Sequence, residues 1–231
     1  ATVAAFFPFN LDNWYGTPAH GGAVDIWADD NFDHAGLDFI GGGNMWVYTE
    51  RRPIASVNGL AAWMQGKPMW GSAWKAFIKE NADRTNSAYL QKTTLPYEDN
   101  YLDLDPSVKD AFGVPVTRIT GEFKENEKKI ALFIHEKMEQ WYKAAGATAI
   151  QKQPIPNAMG PTTHAYGGTR MGQNPETNVV NGWGFSHEVP NLGILGASVM
   201  GTSGARNPTL TLQAIAWRTA EYLAKNWKSV V

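Results

Sequence analysis

The chain has 231 residues, of which 43% are hydrophobic and 18% are charged, a composition typical of a folded globular protein with one or two domains. Its formal net charge is -2 and it has no basic run, which argues against a nucleic-acid partner, and no apolar stretch approaches the roughly 20 residues of a membrane span. The absence of cysteine excludes disulfides, thiolate catalysis and cysteine-bound metals.

The first 71 residues are rich in aromatic residues, glycine, Asp and Asn, and they show few helical periods. This pattern predicts loops and short strands. The predicted strands of this region are residues 24–27, 37–40 and 44–49. A short helix is then predicted over residues 72–81, with Trp74, Phe77 and Ile78 facing inward.

The middle of the chain predicts a small antiparallel sheet followed by a long helix. Residues 101–104 alternate between apolar and polar side chains, and residues 116–123 have the composition of a second strand. Residues 126–145 carry apolar side chains at helical spacing, and Gly146 is suited to end that helix.

A histidine close to two consecutive glycines is the first candidate for chemistry. It lies in the segment His164-Ala165-Tyr166-Gly167-Gly168-Thr169-Arg170-Met171-Gly172. Neutral imidazole is well suited to accept a proton near neutral pH, and glycine lets the backbone approach a ligand closely. His164 is therefore a candidate general base. The competing interpretation is a turn histidine bound to backbone, and the nearest rival histidine is His187, in a predicted surface turn.

Residues 192–199 form a short apolar run between turn-forming residues, which predicts a strand buried on both faces. A helix is predicted after it, with Asn207 at the N-cap and Pro208 in the first turn. Its apolar positions recur at helical spacing: Leu212, Ile215, Ala216, Ala220 and Leu223. The free N–H groups at such a helix start favour anionic charge. Capping alone would also explain Asn207.

These residues together resemble the C-terminal signature of the glucose-methanol-choline (GMC) flavoprotein oxidoreductases, whose members oxidise alcohols and sugars with FAD. The matching pieces follow in the family's order: residues 164–172, Val179-Val180, Asn191-Leu192 and residues 207–211. Residues 95–101 and 104–110 resemble the substrate-domain region of the family's bacterial sugar and gluconate dehydrogenases.

The resemblance implies a role for each candidate residue. His164 matches the active-site histidine and would take the hydroxyl proton while the carbinol hydrogen leaves as hydride to flavin N5. Asn207 matches the position of a second histidine or an asparagine and would hydrogen-bond the substrate oxygen. The implied cofactor-binding residues are Gly196, Ala197, Asn207, Pro208 and Thr209. Many members carry an acidic residue where this chain has Gly196, so contact there would come from the backbone.

The chain lacks the G-x-G-x-x-G turn by which a Rossmann-type domain binds the FAD pyrophosphate. Family members are much longer, with that fingerprint near the N-terminus. The chain is therefore expected to be the C-terminal part of such an enzyme, binding FAD poorly by itself and turning over no substrate.

The expected fold is mixed α/β (α+β): an antiparallel-sheet substrate domain with helices, plus the strand and helix that return to the FAD domain. Residues 1–161 are expected to form the substrate-binding region. Residues 162–231 are expected to complete the FAD-binding domain and the active site.

The ten tryptophans suggest stacking against sugar rings, because a flat aromatic ring can cover the apolar C–H face of a pyranose. Most of them are expected in the core, whereas Trp46, Trp63 and Trp70 are candidates to line a pocket. The alternative to an oxidoreductase is a carbohydrate-binding or interaction domain without chemistry.

The histidines lack H-x-x-H or H-E-x-x-H spacing, so no metal site is predicted.

The partners and the electron acceptor of the protein are predicted from the family resemblance alone. The substrate would be a sugar or another alcohol, and both dehydrogenase and oxidase remain open. The implied partners are the N-terminal FAD-binding part and an electron-accepting cytochrome subunit, and the analogy suggests the bacterial periplasm.

Overall fold

The computed structural model describes residues 2–12, 20–29, 31–48, 60, 63, 66, 68–160 and 162–230. The chain divides into two compact units, each made of two stretches of sequence. Unit 1 comprises residues 1–92 and 128–155, and unit 2 comprises residues 93–127 and 156–231. The division of the chain at residue 161 stays a prediction.

Among the described residues there are seven strands and three α-helices. The strands are β1 Thr2–Phe6, β2 His20–Val24, β3 Gly43–Tyr48, β4 Thr85–Lys92, β5 Tyr101–Lys109, β6 Pro115–Thr120 and β7 Ala149–Lys152. The helices are α1 Gly71–Asn81, α2 Glu125–Ala144 and α3 Thr209–Val230. The predicted class, mixed α/β with antiparallel sheets and helices, is confirmed.

Unit 1 is built on a five-stranded antiparallel sheet in the order β2-β3-β4-β1-β7. Alternate residues of its strands face the core because side chains in a strand point to opposite faces. Val3 and Ala5 of β1 are fully buried on that face. The core side of α2 repeats at helical spacing and adds Ile130, Ile134 and Met138, each 0% exposed. Burial of each large side chain contributes about 1.5–3 kcal/mol.

Both ends of α2 are closed by hydrogen bonds. At the start, the Glu127 carboxylate accepts the main-chain N–H of Lys124 at 3.0 Å, which is one half of a capping box. At the end, Ala147 N–H donates to Tyr142 and Gly146 N–H donates to Lys143, the pair of bonds that defines a Schellman motif. Gly146 has φ +88, so the prediction that it ends the helix is confirmed.

In unit 2, Glu127 is a buried carboxylate with several donors. Besides Lys124, it accepts the Leu95 N–H at 3.0 Å and the Tyr97 hydroxyl at 3.1 Å. Burial, and then the negative charge of Glu127, raises the pKa of Tyr97 to about 12.

Strands β5 and β6 form an antiparallel hairpin in unit 2, as predicted. Leu102 lies opposite Ile119, and Asp103 lies opposite Arg118, whose guanidinium binds the Asp103 carboxylate with an Nε distance of 2.8 Å. The hairpin loop is closed by Asp110, whose carboxylate accepts a main-chain N–H at 2.9 Å.

Helix α3 packs in unit 2 through the side predicted from its spacing. Leu212, Ile215 and Ala216 are half-buried. Farther along, the ring of Tyr222 stacks on Trp183 with centroids 4.3 Å apart and an interplanar angle of 9°. Ala220, which was predicted on the packed side, is exposed, and the neighbouring Thr219 is buried instead.

Several secondary-structure predictions are confirmed to within a few residues. The strand predicted over residues 44–49 is β3, and the helix predicted over residues 126–145 is α2. The helix predicted over residues 72–81 is α1, where Trp74, Phe77 and Ile78 are half-buried on one side.

Three predicted strands are wrong in extent or type. β2 ends at Val24, where a turn begins with a hydrogen bond from Ala28 N–H to the Asp25 carbonyl, and residues 37–40 form no strand. Residues 192–199 also form no strand and end in the 3₁₀ turn Ala197–Val199. Leu195 is 53% exposed, so this run is apolar without being buried on both faces.

The start of α3 lies one residue later than predicted. Leu212 N–H donates to the Pro208 carbonyl at 2.9 Å, and the first helical residue is Thr209. Pro208 therefore occupies the N-cap position and Asn207 precedes it.

Candidate functional site

All of the predicted site residues lie in unit 2. His164 is half-buried in a segment without regular secondary structure, and its main-chain N–H donates to the Thr162 hydroxyl at 3.0 Å. Gly167 and Gly168 follow with φ +73 and +91. Glycine adopts this left-handed conformation without steric cost, which explains the glycine pair beside His164.

The backbone after His164 runs alongside the 3₁₀ turn Ala197–Val199. Thr169 N–H donates to the Ser198 carbonyl at 3.1 Å, and Met171 N–H donates to the Val199 carbonyl at 2.8 Å. The hydroxyls of Thr169 and Ser198 also bond at 2.8 Å. The two predicted cofactor residues Gly196 and Ala197 are thereby brought beside residues 164–172, the histidine segment.

A side-chain hydrogen bond connects the histidine segment to the start of α3. The hydroxyl of Tyr166 donates to the main-chain carbonyl of Arg206 at 3.0 Å. Because Arg206 directly precedes Asn207, the backbone carrying His164 is held next to the backbone carrying Asn207. The histidine segment therefore contacts two other segments of unit 2 that lie about 30 to 40 residues farther along the sequence.

The convergent segments meet at the positive end of a long helix. Helix α3 has 22 residues, and the first N–H groups of a helix have no intrahelical partner. Asn207 and Thr209 are exposed there, whereas Pro208 is buried. The free N–H groups at this helix start can stabilise negative charge.

His187 has a different role from His164. Its Nε2 lies 3.0 Å from the Gly172 carbonyl, and its main-chain N–H donates to Val179. Gly172 N–H in turn donates to the Val180 carbonyl at 2.9 Å. His187 therefore connects the end of the histidine segment to Val179-Val180, the pair that belongs to the family motif.

Tyr166 and the Thr169–Ser198 pair are site residues that sequence reasoning missed. Both lie within the recognised motif or the apolar run, but nothing local distinguishes a tyrosine that bridges to residue 206 from a surface tyrosine. Only the tertiary hydrogen bonds reveal them.

The tryptophans suggested as pocket residues lie in unit 1. Trp46 is half-buried and stacks on Tyr89 with centroids 4.7 Å apart. The ring of Trp63 lies 5.7 Å from that of Phe6. Trp70 is 76% exposed and directly precedes α1.

The described residues show neither of two other kinds of site. In that part of the chain, no three His, Asp or Glu side chains are grouped to hold a metal ion. None of the helices that the structure describes is both long and apolar enough to cross a membrane.

The ordered motif that converges in unit 2 also identifies the family. The family model for GMC oxidoreductases matches residues 96–216, which is more than half of the chain. The chain belongs to the GMC oxidoreductase family. The match includes the hairpin of β5 and β6, His164, Asn207 and the first turns of α3.

Its similar relatives are oxidoreductases of alcohols and sugars. The chain is 33% identical to the gluconate 2-dehydrogenase flavoprotein of Pantoea cypripedii over 98% of its own length and 38% of that protein. It is 33% identical to the 2-methyl-1,2-propanediol dehydrogenase of Mycolicibacterium austroafricanum over 70% of its length and 29% of that protein. It is 33% identical to the fructose dehydrogenase large subunit of Gluconobacter japonicus over 61% of its length and 25% of that protein. The chain thus spans less than two fifths of these relatives.

GMC oxidoreductases are flavoproteins, and the residues in unit 2 fit one part of a flavin. The helix start at Pro208 and Thr209 offers positive potential that would suit the pyrimidine edge of a flavin, where negative charge develops on reduction. The sequence contains no G-x-G-x-x-G turn to receive the pyrophosphate. These residues fit the reacting end of the cofactor, and the pyrophosphate requires other residues.

Proposed function

We propose that the complete protein is an FAD-dependent oxidoreductase that acts on the CH–OH group of sugars or other alcohols. The observation that carries the proposal is the convergence of the histidine segment, the Ala197–Val199 turn and the start of α3 in unit 2, joined by the Tyr166 and Thr169 hydrogen bonds. Family membership and the alcohol and sugar oxidoreductases among the relatives support the same reaction class.

His164 and Asn207 carry the chemistry of this chain. The imidazole of His164 takes the proton of the substrate hydroxyl at a ring nitrogen, since it is the candidate base of the converged segments. The amide of Asn207 donates a hydrogen bond to the same substrate oxygen and fixes its position. Bound FAD supplies the hydride acceptor.

The predicted cofactor residues act through their backbone. Gly196 and Ala197 approach the flavin as a turn without bulky side chains, and Pro208 and Thr209 present the helix start to its pyrimidine edge.

The chain is the C-terminal part of this enzyme, with residues 1–161 as the substrate-binding region and residues 162–231 completing the FAD-binding domain. The short share of the relatives that it spans supports this assignment, as does the missing dinucleotide fingerprint. By itself the chain binds FAD poorly and turns over no substrate.

The remaining N-terminal FAD-binding part is the first partner of this chain. An electron-accepting cytochrome subunit is the second, supported by a relative that is named as the large subunit of fructose dehydrogenase. The relatives include both dehydrogenases and oxidases, so the proposal covers both kinds of acceptor.

The test is the absorbance spectrum of the protein produced from its full-length gene, followed by anaerobic addition of gluconate, glucose, fructose and simple alcohols. We expect visible flavin bands that bleach with one of these substrates. A colourless protein that refuses added FAD would overturn the proposal. If that colourless protein bound sugars, the alternative of a carbohydrate-binding domain without chemistry would replace it.

A further inference from the structure

Helix α3 is connected to the histidine segment at two places in unit 2. The first is the hydrogen bond from the Tyr166 hydroxyl to the Arg206 carbonyl, just before the helix begins. The second is the turn of residues 181–185, which follows residues bonded to the end of the histidine segment and packs on the middle of α3. A rod held at one point can pivot about it, whereas a rod held at two separate points keeps its direction.

The turn is fixed to the end of the histidine segment by main-chain hydrogen bonds. Gly172 N–H donates to the Val180 carbonyl at 2.9 Å, and Val179 N–H donates to the Arg170 carbonyl at 3.0 Å. Val180 is fully buried, so this connection lies in the interior of unit 2. Because the turn begins at the next residue, the histidine segment sets its place.

The turn is closed on itself by Asn181. The Oδ1 of this residue accepts the N–H of Trp183 at 2.8 Å and the N–H of Phe185 at 3.2 Å. Its main-chain carbonyl accepts the N–H of Gly184 at 2.9 Å. Gly184 has φ +84, a conformation that glycine adopts without steric cost. These bonds hold the main chain of Trp183 in one conformation.

Trp183 and its neighbour Gly184 contact one stretch of α3. The Trp183 ring stacks on Tyr222 with centroids 4.3 Å apart, and the guanidinium carbon of Arg218 lies 4.3 Å from the centroid of the Trp183 ring. Such stacking and cation–π contacts are favourable beyond the area that they bury. The backbone of Gly184 comes so close that a Cβ atom there would lie 3.2 Å from Thr219 Oγ1. The turn therefore packs directly against the helix.

The two connections are well separated along the helix. Arg218 and Tyr222 lie about 14 and 20 Å beyond Thr209, given a rise of about 1.5 Å per residue. Together with the Tyr166 bond, the contact of Trp183 therefore fixes the direction of α3 relative to the histidine segment. A displacement of about 1 Å at a reacting group can slow an enzyme roughly 100-fold, so this direction matters for chemistry at the helix start.

We propose that Trp183 is a positioning residue of the flavin site. Its ring holds α3 in the direction that places Asn207 and the start of the helix relative to His164. Trp183 acts on the reaction through the helix, since its ring contacts α3 about 14 to 20 Å from the helix start. This role rests on the proposed function, because it concerns the same site.

The first measurement is amide hydrogen exchange of the protein produced from its full-length gene, without substrate. Trp183→Ala removes the ring that contacts α3. We expect the N–H groups of residues 164–172 and 207–213 to exchange about three- to tenfold faster, since the loss of one stacking contact makes local opening easier. A purely local role would confine the change to residues 179–187 and 215–223. Strands β3 and β4 of unit 1 serve as the internal reference.

Three further variants test the same contact. Trp183→Phe keeps an aromatic ring against Tyr222 and should restore slow exchange. Arg218→Gln removes the cation over the ring from an exposed side chain, so the protein keeps its fold, and it should cause a smaller change in the same two segments. Trp227→Ala is the matched control, because it removes a 57% exposed tryptophan from the same helix beyond the contact with the turn. It should leave the exchange of residues 164–172 unchanged.

The second measurement is the rate of flavin reduction after anaerobic mixing with the substrate that bleaches the wild-type flavin. We expect Trp183→Ala to lower the limiting rate about 10- to 100-fold while FAD remains bound. The substrate concentration at half the limiting rate should change little, because the groups that contact the substrate are retained. Trp183→Phe should recover most of the rate, and Trp227→Ala should keep it.

The outcomes separate this role from the proposed function. Exchange that changes only around the turn and the middle of α3 would overturn the role of Trp183, and so would a folded, FAD-bound Trp183→Ala protein that is reduced at the wild-type rate. Equal slowing in Trp227→Ala would overturn it as well. A wild-type protein that refuses FAD would remove the proposed function together with this role, whereas a wild-type flavin that bleaches beside an unaffected variant would remove this role alone.

Discussion

The hydroxyl of Tyr166 donates a hydrogen bond of 3.0 Å to the main-chain carbonyl of Arg206. His164 lies two residues before the donor, and Asn207 directly follows the acceptor. One side chain thus fixes the separation of two backbone segments that belong to the same proposed site. We regard Tyr166 as a positioning residue of the proposed site, because its hydroxyl bonds the main chain of Arg206 rather than the side chain of His164 or Asn207.

Tyr166→Phe should loosen this connection while preserving the ring. Loss of a hydrogen bond between neutral groups should lower the free energy of unfolding by about 1 kcal/mol, measured by urea denaturation of the chain. Tyr101→Phe, on the exposed hairpin, should leave it unchanged. In the flavin-loaded protein Tyr166→Phe should also slow flavin reduction without weakening FAD binding. Reduction at the wild-type rate would leave the bond with a purely structural role.

His164→Ala should lower the rate of flavin reduction by about 10² to 10⁴, the range of a lost general base, and leave FAD bound. The measurement is anaerobic stopped-flow absorbance with saturating substrate. His187→Gln is the matched control, because His187 bonds the Gly172 carbonyl in the same unit and should affect stability rather than rate. Comparable losses in both variants would remove His164 from the mechanism.

Asn207 should be sensitive to charge as well as to hydrogen bonding. Asn207→Ala removes the bond to the substrate oxygen and should slow flavin reduction by about tenfold. Asn207→Asp should slow it further, since a carboxylate beside the start of α3 opposes the negative charge that develops on the flavin. If the Asp variant reduced its flavin as fast as the Ala variant, electrostatics at this position would have no part in the reaction.

Local conformation at the site could be predicted from the sequence, whereas its tertiary connections could not. The glycine pair after His164 predicted a turn, and Gly167 and Gly168 have the positive φ values that such a turn requires. The helix after Asn207 also followed from local spacing. The contact of Tyr166 with Arg206 depends on how distant segments pack, which no local pattern encodes.

The run of residues 192–199 shows why the predicted strand failed. An apolar run becomes a buried strand only where neighbouring strands pair with it on a continuous ladder. The first part of the run pairs with Phe185 through a single bridge at Gly193, which does not continue as a ladder. Its last part bonds to the histidine segment, where left-handed Gly167 and Gly168 interrupt an extended ladder, and closes into the 3₁₀ turn Ala197–Val199. The composition of residues 192–199 shows that the run is apolar, but it does not show the backbone conformation of the segments that bond to it.

Glu127 offers a test of stability in unit 2 that is independent of flavin chemistry. Its carboxylate accepts from the N–H groups of Lys124 and Leu95 and from the Tyr97 hydroxyl. Glu127→Ala would leave the half-buried Leu95 donor and Tyr97 without their acceptor and remove half of the capping box, so it should cost about 2–4 kcal/mol.

Glu127→Gln is the matched variant, because it keeps one acceptor oxygen and nearly the same volume. It should cost clearly less than Glu127→Ala in urea denaturation at neutral pH. Equal losses in the two variants would show that the negative charge, rather than the hydrogen-bond acceptors, stabilises this corner of unit 2.

His135 should make the stability of the chain depend on pH. This α2 residue is 4% exposed, and its Nε2 has no hydrogen-bond partner among the residues described. Burial and, to a smaller extent, the positive charge of Lys152 lower the pKa of His135 to about 4. In the unfolded chain the pKa of a histidine is about 6.5.

Between pH 6.5 and 4 the unfolded chain therefore binds a proton at His135 that the folded chain does not, and the free energy of unfolding must fall as the pH is lowered through this window. His135→Leu removes that proton uptake, so urea denaturation at a series of pH values should give a flatter profile between pH 6.5 and 4 and similar stability above pH 7. An unchanged slope in His135→Leu would mean that other groups set the acid sensitivity of the chain.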